Sequence, residues 1–147
     1  MSDKDLSLFH MKQIESELDN LFSEFIDLED LKKKKKNQQQ EAFKSRALAA
    51  YSLCILADVS PKVAADAVVD GFDDNGIDAF LFSKAQNTLY LVQAKYMRNG
   101  SGSPKANDMK SFKDGVFSFM PSLRCVIPIR VTSHSTKSRK FVSFKHF

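Results

Sequence analysis

The sequence contains no tryptophan, only two cysteines, and no apolar run long enough for a membrane-spanning helix. Its first residues, MSDKDLSLFH, include acids and lack the basic-then-apolar order of a secretory signal peptide. Cys54 and Cys125 lie far apart among apolar neighbours, and their spacing is unlike that of metal ligands. We therefore expect both thiols to be reduced and buried, as in a cytoplasmic protein with no membrane association.

Several catalytic signatures are also missing. No Gly-x-Ser-x-Gly nucleophile elbow occurs, so the sequence gives no support for a serine hydrolase. No GxxxxGK[ST] phosphate loop occurs either, which argues against hydrolysis of a nucleoside triphosphate. His10, His134 and His146 are isolated, and we interpret them as structural or exposed residues.

Negative charge is scarce in the last third of the chain. Residues 1–93 hold 11 Lys/Arg against 16 Asp/Glu, whereas residues 94–147 hold 11 Lys/Arg against only Asp108 and Asp114. A strongly basic segment suits a nucleic acid, because neutralising phosphates releases condensed counterions. Charge alone does not decide between this interpretation and a merely solvated surface.

The chain divides into three parts by pattern. Residues 1–36 combine an amphipathic helix, predicted over 3–31, with five consecutive lysines at Lys32–Lys36. The lysines indicate either a nucleic-acid contact or the solvated C-terminal end of that helix, and we favour the second. The helix has more apolar positions than a small core needs, so it is also a candidate homodimer seam. Residues 37–132 form the main domain, and we expect residues 133–147 to be an irregular basic tail of a truncated chain.

The main domain reads as alternating helices and strands. Helix-start and turn signals such as Ser60-Pro61 separate its segments. The pattern predicts helices over 39–57, 61–69 and 105–119, a β-hairpin over 77–82 and 89–96, and a further strand over 124–132.

The hairpin brings polar residues together. A four-residue loop at Lys84–Asn87 pairs Ser83 with Thr88 and, further along, places Asp78 opposite Gln93. Lys95 lies on the same face as Gln93, because alternate residues of a strand share a face. A slip of one residue would destroy this arrangement.

Both hairpin strands are apolar on both faces, which is typical of a sheet covered on two sides. We expect Ile77, Ala79 and Leu81 on one face, and Leu89 and Leu91 on the face of Gln93. Polar residues in such strands need a reason, because an unpaired buried charge is destabilising. An ion pair between Asp78 and Lys95 would explain those two residues but not Gln93.

Metal-assisted chemistry explains all three. Hydrolysis of a phosphodiester is assisted by a divalent cation that polarises a phosphoryl oxygen and lowers the pKa of an attacking water. Asp78 offers a carboxylate, Gln93 an amide oxygen and Ala94 a backbone carbonyl, which are ligands that suit Mg²⁺ or Mn²⁺. Lys95 would stabilise negative charge on the phosphate.

The stretch VDGFDDNGIDAFLF…LYLVQAKY resembles the N-terminal domain of the abortive-infection phage-resistance (AIPR) family, and the resemblance covers residues 40–97. It implies an α/β (α+β) fold of the restriction-endonuclease-like PD-(D/E)xK superfamily, with a mixed β-sheet of about four strands flanked by helices. Asp78 and Gln93-Ala94-Lys95 match the motif, with glutamine in place of the commoner acid. Glu41, in QQQEAFKSRALAAY, occupies the place of an additional helical acid.

The resemblance implies a metal-dependent endonuclease in phage defence. Its catalytic residues would be Asp78, Gln93, Lys95 and Glu41, and Asp78, Gln93 and Ala94 would hold the metal. The expected partner is nucleic acid, with DNA favoured, contacted by Lys95, Arg98, Lys105 and Lys110. The alternative is a catalytically weak or inactive nuclease-fold module that binds nucleic acid, with or without dimerisation.

Overall fold

The computed structural model of the 147-residue chain describes residues 3–69, 76–97, 105–124, 130–136 and 139–145. Side chains are described between residues 6 and 118, apart from residue 7 and the same gaps. The elements are helices α1 (Asp3–Phe22), α2 (Lys36–Ala57), α3 (Pro61–Asp66) and α4 (Ala106–Arg124), with strands β1 (Ala79–Ser83), β2 (Thr88–Val92), β3 (Arg130–Thr136) and β4 (Arg139–Lys145). The expectation of a mixed helix and sheet architecture is confirmed. Within the described ranges, no helix has both the length and the apolar character to cross a membrane.

The strands form one sheet in the order β1-β2-β4-β3. All pairings between these strands are antiparallel, whereas a mixture of parallel and antiparallel pairs was expected. The prediction of an irregular tail over 133–147 is wrong, because β4 pairs with both β2 and β3. Its segment RKFVSFK carries aromatic and β-branched residues, which favour a strand even without clear alternation. Of the strand predicted over 124–132, Arg124 ends α4, residues 130–132 belong to β3, and 125–129 lie outside the described residues.

Helix α1 ends at Phe22, nine residues before the predicted end. The backbone N–H groups of Phe25 and Ile26 both donate to the Phe22 carbonyl at 3.0 Å, which closes a turn there. Asp27 then accepts from the Glu29 N–H at 2.8 Å and starts a short 3-10 helix, Glu29–Leu31. The apolar periodicity continued past Phe22, but the local hydrogen bond of Asp27 competes with the helical one.

The five lysines lie at the start of α2, since Lys36 is the first residue of that helix. The favoured interpretation of a helix C-terminus is therefore wrong, and the positive end of the α2 dipole makes this location electrostatically unfavourable for them. The Gln39 side-chain amide donates to the backbone carbonyls of Leu31 and Lys34 at 3.0 Å, so these two carbonyls point towards the first turn of α2. The lysine side chains are all exposed, and Lys32 pairs with Glu29.

Helix α3 begins as predicted, with Ser60 as its N-cap and Pro61 at its first position. It ends at Asp66 rather than residue 69, because the next residues run alongside β1. The Phe80 N–H donates to the Ala67 carbonyl and the Val69 N–H to the Asp78 carbonyl, each at 3.0 Å. This short antiparallel segment covers the outer edge of β1.

Strand β2 is covered on both faces, as the apolar strands indicated, whereas Phe80 and Phe82 of β1 are each 38% exposed. Helices α1, α2 and α3 pack on one face in a cluster that includes Leu18, Phe22, Ala47, Ala49, Ala50, Leu53, Ala64, Ala65, Ala79 and Val92. Helix α4 packs on the other through Phe112, which contacts Ile77, Leu89 and Leu91. The placement of Leu89 and Leu91 is confirmed, but Ile77 lies with them rather than with Ala79.

Cys54 lies in α2 as a free, partly buried thiol, and Cys125 is outside the described residues. Burial raises the pKa of the Cys54 thiol above its ordinary value. A raised pKa favours the protonated thiol at neutral pH.

Because α1 shares one core with α2, Phe22→Ala should destabilise the whole domain. Phe22 is fully buried, whereas Phe25 is 42% exposed, so Phe25→Ala is a matched control. We expect Phe22→Ala to lower the free energy of unfolding by about 3–5 kcal/mol in one cooperative transition. Chemical denaturation measures this, and a loss of α1 helicity with no change elsewhere would contradict a shared core.

Candidate active site

The hairpin has the predicted register within β1 and β2, but the predicted pairing of Asp78 with Gln93 is wrong, because the Asp78 N–H donates to the Val92 carbonyl instead. Ser83 pairs with Thr88 and Ala79 with Val92, so the four-residue loop is confirmed. The loop closes through a hydrogen bond from the Asn87 N–H to the Lys84 carbonyl at 3.3 Å, with Asn87 at φ 47°. Asparagine tolerates this left-handed conformation better than most residues, which is why the turn forms here.

The two strands part at Asp78. Its backbone N–H donates to the Val92 carbonyl at 2.8 Å, and its carboxylate Oδ2 accepts from the Ala94 N–H at 2.6 Å. The Asp78 side chain thus takes the place of the next backbone hydrogen bond between the two strands. It also fixes the segment that follows β2. Asp78 therefore binds the residue between Gln93 and Lys95. This shift in pairing is also where Ile77 changes face.

Gln93 and Lys95 both reach the first turn of α4. The Gln93 Nε2 donates to the backbone carbonyl of Asp108 at 3.3 Å. The Lys95 Nζ lies 2.6 Å from Oδ2 of the same residue. The prediction that Gln93 and Lys95 share a face is confirmed by this common contact.

Asp108 is the acidic partner of Lys95 in the described part of the chain, rather than Asp78. Hydrogen bonds from Lys95 and from the Lys105 backbone N–H lower the pKa of the Asp108 carboxyl below its ordinary value. A lowered pKa keeps the carboxylate ionised at neutral pH, and the pair is lost only as the pH falls through that lowered value. Both groups are partly exposed, so the pair by itself adds little stability.

Tyr96 anchors the same segment to the opposite side. Its hydroxyl donates to Glu15 of α1, and Lys44 of α2 lies 2.8 Å from the same Glu15 oxygen. The Lys44 ammonium is also 5.1 Å from the centre of the Tyr96 ring, a cation–π distance. The residues after β2 are therefore held alternately by α4 and by the α1–α2 layer.

The remaining predicted site residues occupy different places. Glu41 is exposed on α2, one turn before Lys44, and α2 covers the face opposite to α4. Lys105 and Lys110 are exposed at the start of α4, on either side of Asp108. Arg98 lies outside the described residues.

Gly76 lies tightly between α4 and Gln93. Its φ of +77° is a conformation that L-residues rarely adopt. A Cβ atom here would lie 3.0 Å from the Phe112 backbone nitrogen and 3.1 Å from the Gln93 Nε2. Glycine is therefore required both for the backbone turn and for the close approach of Gln93 to α4.

The donor groups at the hairpin end fit a hard cation by their chemistry. Asp78, Gln93 and Ala94 offer only oxygen ligands, which are the ligands that a hard cation prefers. With one negative charge in the set, a bound Mg²⁺ would keep several waters. In the ranges that the structure covers, no three His, Cys, Asp or Glu side chains cluster as metal ligands.

Sequence reasoning missed the role of Asp108, which had been counted only as one of two acids in a basic segment. Its position in the first turn of a predicted helix is a usable signal, because an acid there often accepts from the N-cap N–H. Lys105 makes this bond at 3.1 Å. The contacts of Tyr96 with Glu15 and Lys44 join residues that are far apart in the sequence, so no local pattern predicts them.

No family model, curated protein or solved structure matches the chain. The resemblance to the AIPR family therefore rests on the motif residues of the sequence.

The packing around Gly76 predicts that Gly76→Ala destabilises the site. The positive φ alone costs an alanine about 1–2 kcal/mol, and the contact with α4 adds to this. Asn87→Ala is a control, because Asn87 also has a positive φ but lies in the exposed hairpin loop. We expect chemical denaturation to show a clearly larger loss for Gly76→Ala, and equal losses would argue against the close approach.

Proposed function

We propose that this chain is a Mg²⁺- or Mn²⁺-dependent endonuclease of restriction-endonuclease-like fold that acts in phage defence, as the AIPR resemblance implies. One observation supports this most. The Asp78 carboxylate is bonded to the Ala94 N–H, and the residues on either side of Ala94 both reach Asp108. A carboxylate, an amide and an ammonium group are thereby held around one short segment.

Each residue has a distinct role in this proposal. Asp78, Gln93 and Ala94 supply oxygen ligands that hold the cation. The cation, when bound, polarises the phosphodiester and lowers the pKa of a water. Lys95 stabilises negative charge on the phosphate, since its ammonium has more N–H donors than the one that Asp108 uses. An assisting role for Glu41 rests on the resemblance alone, because α2 packs on the face opposite to α4.

Exposed basic residues would bind the nucleic-acid backbone. Lys105 and Lys110 are exposed at the start of α4, where Lys95 contacts Asp108, and Arg98 lies three residues after Lys95 in the sequence. Lys32–Lys36 form a second basic region. These lysines lie at the N-terminus of α2, where positive charge does not stabilise the helix, so binding a phosphate backbone would give them a role. Binding through such contacts weakens as the salt concentration rises.

A second candidate function is a module that binds nucleic acid without cutting it. Gln93 favours this alternative, because it leaves Asp78 as the only carboxylate in the donor set. Both candidates are compatible with a homodimer, for α1 exposes the apolar side chains of Leu6, Leu8 and Phe9. A mass measurement in solution tests the dimer.

The endonuclease proposal predicts that Asp78→Asn and Lys95→Ala each reduce cleavage at least about a hundredfold. Asparagine keeps an acceptor for the Ala94 N–H, so Asp78→Asn removes the charge while preserving the hydrogen bond at the hairpin end. Lys84→Ala, in the exposed hairpin loop, is the matched lysine control. The measurement is cleavage of plasmid and single-stranded DNA and of RNA with Mg²⁺, Mn²⁺ or EDTA.

Cleavage that survives EDTA, or that persists in both variants, would reject the proposed site. Calorimetry with Mg²⁺ separates the two candidate functions. An endonuclease binds the ion in the wild type and loses it in Asp78→Asn. A protein that binds DNA without cutting it, and takes up no Mg²⁺, is the binding module.

A further inference from the structure

Asp108 contacts both polar side chains of the candidate site that extend from the segment after β2. Its carbonyl oxygen accepts from the Gln93 Nε2 at 3.3 Å, and its carboxylate lies 2.6 Å from the Lys95 Nζ. The carboxylate also accepts from the Lys105 N–H at 3.1 Å, which ties it to the start of α4. One residue of α4 thus presents two fixed acceptors to the site.

The contact with Gln93 determines which end of its amide faces α4. A carbonyl oxygen can only accept, so the amide must present its nitrogen to Asp108, and its oxygen then points away. A glutamate at position 93 could not make this contact, because two acceptors would face each other. The superfamily motif more often has an acid at this position. Glutamine at position 93 suits this chain, because its amide nitrogen can donate to the Asp108 carbonyl.

The contact with Lys95 restricts a side chain that would otherwise be free. Lys95 is 48% exposed and lies beyond the end of β2, and a lysine on its flexible stem samples many rotamers. Asp108 is more enclosed, at 29%, and is itself fixed by Lys105. The Asp108 carboxylate can therefore hold the Lys95 ammonium in one place, while the remaining N–H groups of that ammonium stay available to a phosphate.

We infer that Asp108 is a positioning residue of this site, and the inference rests on the proposed function. Its carbonyl orients the Gln93 amide so that the oxygen serves as a ligand, and its carboxylate places the Lys95 ammonium against the phosphate. Helix α4 then belongs to the active site although it carries no residue of the sequence motif. Misplacing a charged group in this way reduces the rate of the chemical step more than it weakens substrate binding.

The test compares Asp108→Asn with Asp114→Asn, an exposed aspartate on the same helix. Asparagine at 108 still accepts from the Lys105 N–H, so α4 keeps its start, but the charge on Lys95 loses its partner. We expect Asp108→Asn to lower kcat at least tenfold on DNA with little change in KM. Asp108→Glu should restore part of kcat, and Asp114→Asn should cleave like the wild type.

A second readout does not depend on cleavage. In protein with labelled lysine side chains and no metal, NMR relaxation should show the Lys95 ε-methylene more ordered in the wild type and Asp114→Asn than in Asp108→Asn. Wild-type kcat in Asp108→Asn, faster cleavage by it, or equal losses in both variants would overturn the inference. If the wild type does not cleave, the proposed function fails, and unchanged Lys95 order would separately refute the positioning contact.

Discussion

The hydrogen bond from the Ala94 N–H to the Asp78 carboxylate is the constraint on which the rest of the site depends. It forms at 2.6 Å where β1 and β2 part, and it supplies the bond that the ladder no longer makes. A hydrogen bond to a carboxylate oxygen can be stronger than one between two neutral backbone groups. The bond between Asp78 and Ala94 is the contact that joins the start of the segment after β2 to the N-terminal end of β1. With it, Gln93 and Lys95 leave the hairpin on one side, towards α4.

The residues that follow β2 are held from two sides. Gln93 and Lys95 bind the first turn of α4, while Tyr96 binds Glu15 and Lys44 in the α1–α2 layer. Successive side chains of this segment point to opposite sides, as in an extended chain, although β2 itself ends at Val92. An irregular stretch between two rigid layers is a good place for polar groups, because the layers fix their positions while the stretch leaves them access to solvent. This arrangement is why a metal-assisted hydrolytic site is a reasonable proposal here.

The pairing within the hairpin could be predicted from the sequence, whereas the contacts between the hairpin and α4 could not. Loop length alone gave the hairpin register, because the pairing of an antiparallel hairpin is set by its turn. The end of α1 and the location of Lys32–Lys36 were predicted wrongly, since the apolar pattern continues past Phe22, where the helix ends. The contacts of Asp108 with Gln93 and Lys95 depend on how α4 packs against the sheet, which no local pattern encodes. Nor could a residue-by-residue reading place Ile77, because a single shift in pairing at Asp78 moves it to the other face.

The central claim is that the oxygens of Asp78, Gln93 and Ala94 form one cation site. A titration of the labelled wild-type protein with Mg²⁺, followed by the ¹⁵N resonances of the Ala94 backbone amide and the Gln93 side-chain amide, tests it most directly. We expect both resonances to shift together and saturate at one Mg²⁺ per chain, while the Asn87 amide in the distant hairpin loop stays unchanged. Shifts confined to other residues, or none at these two amides, would contradict the claim.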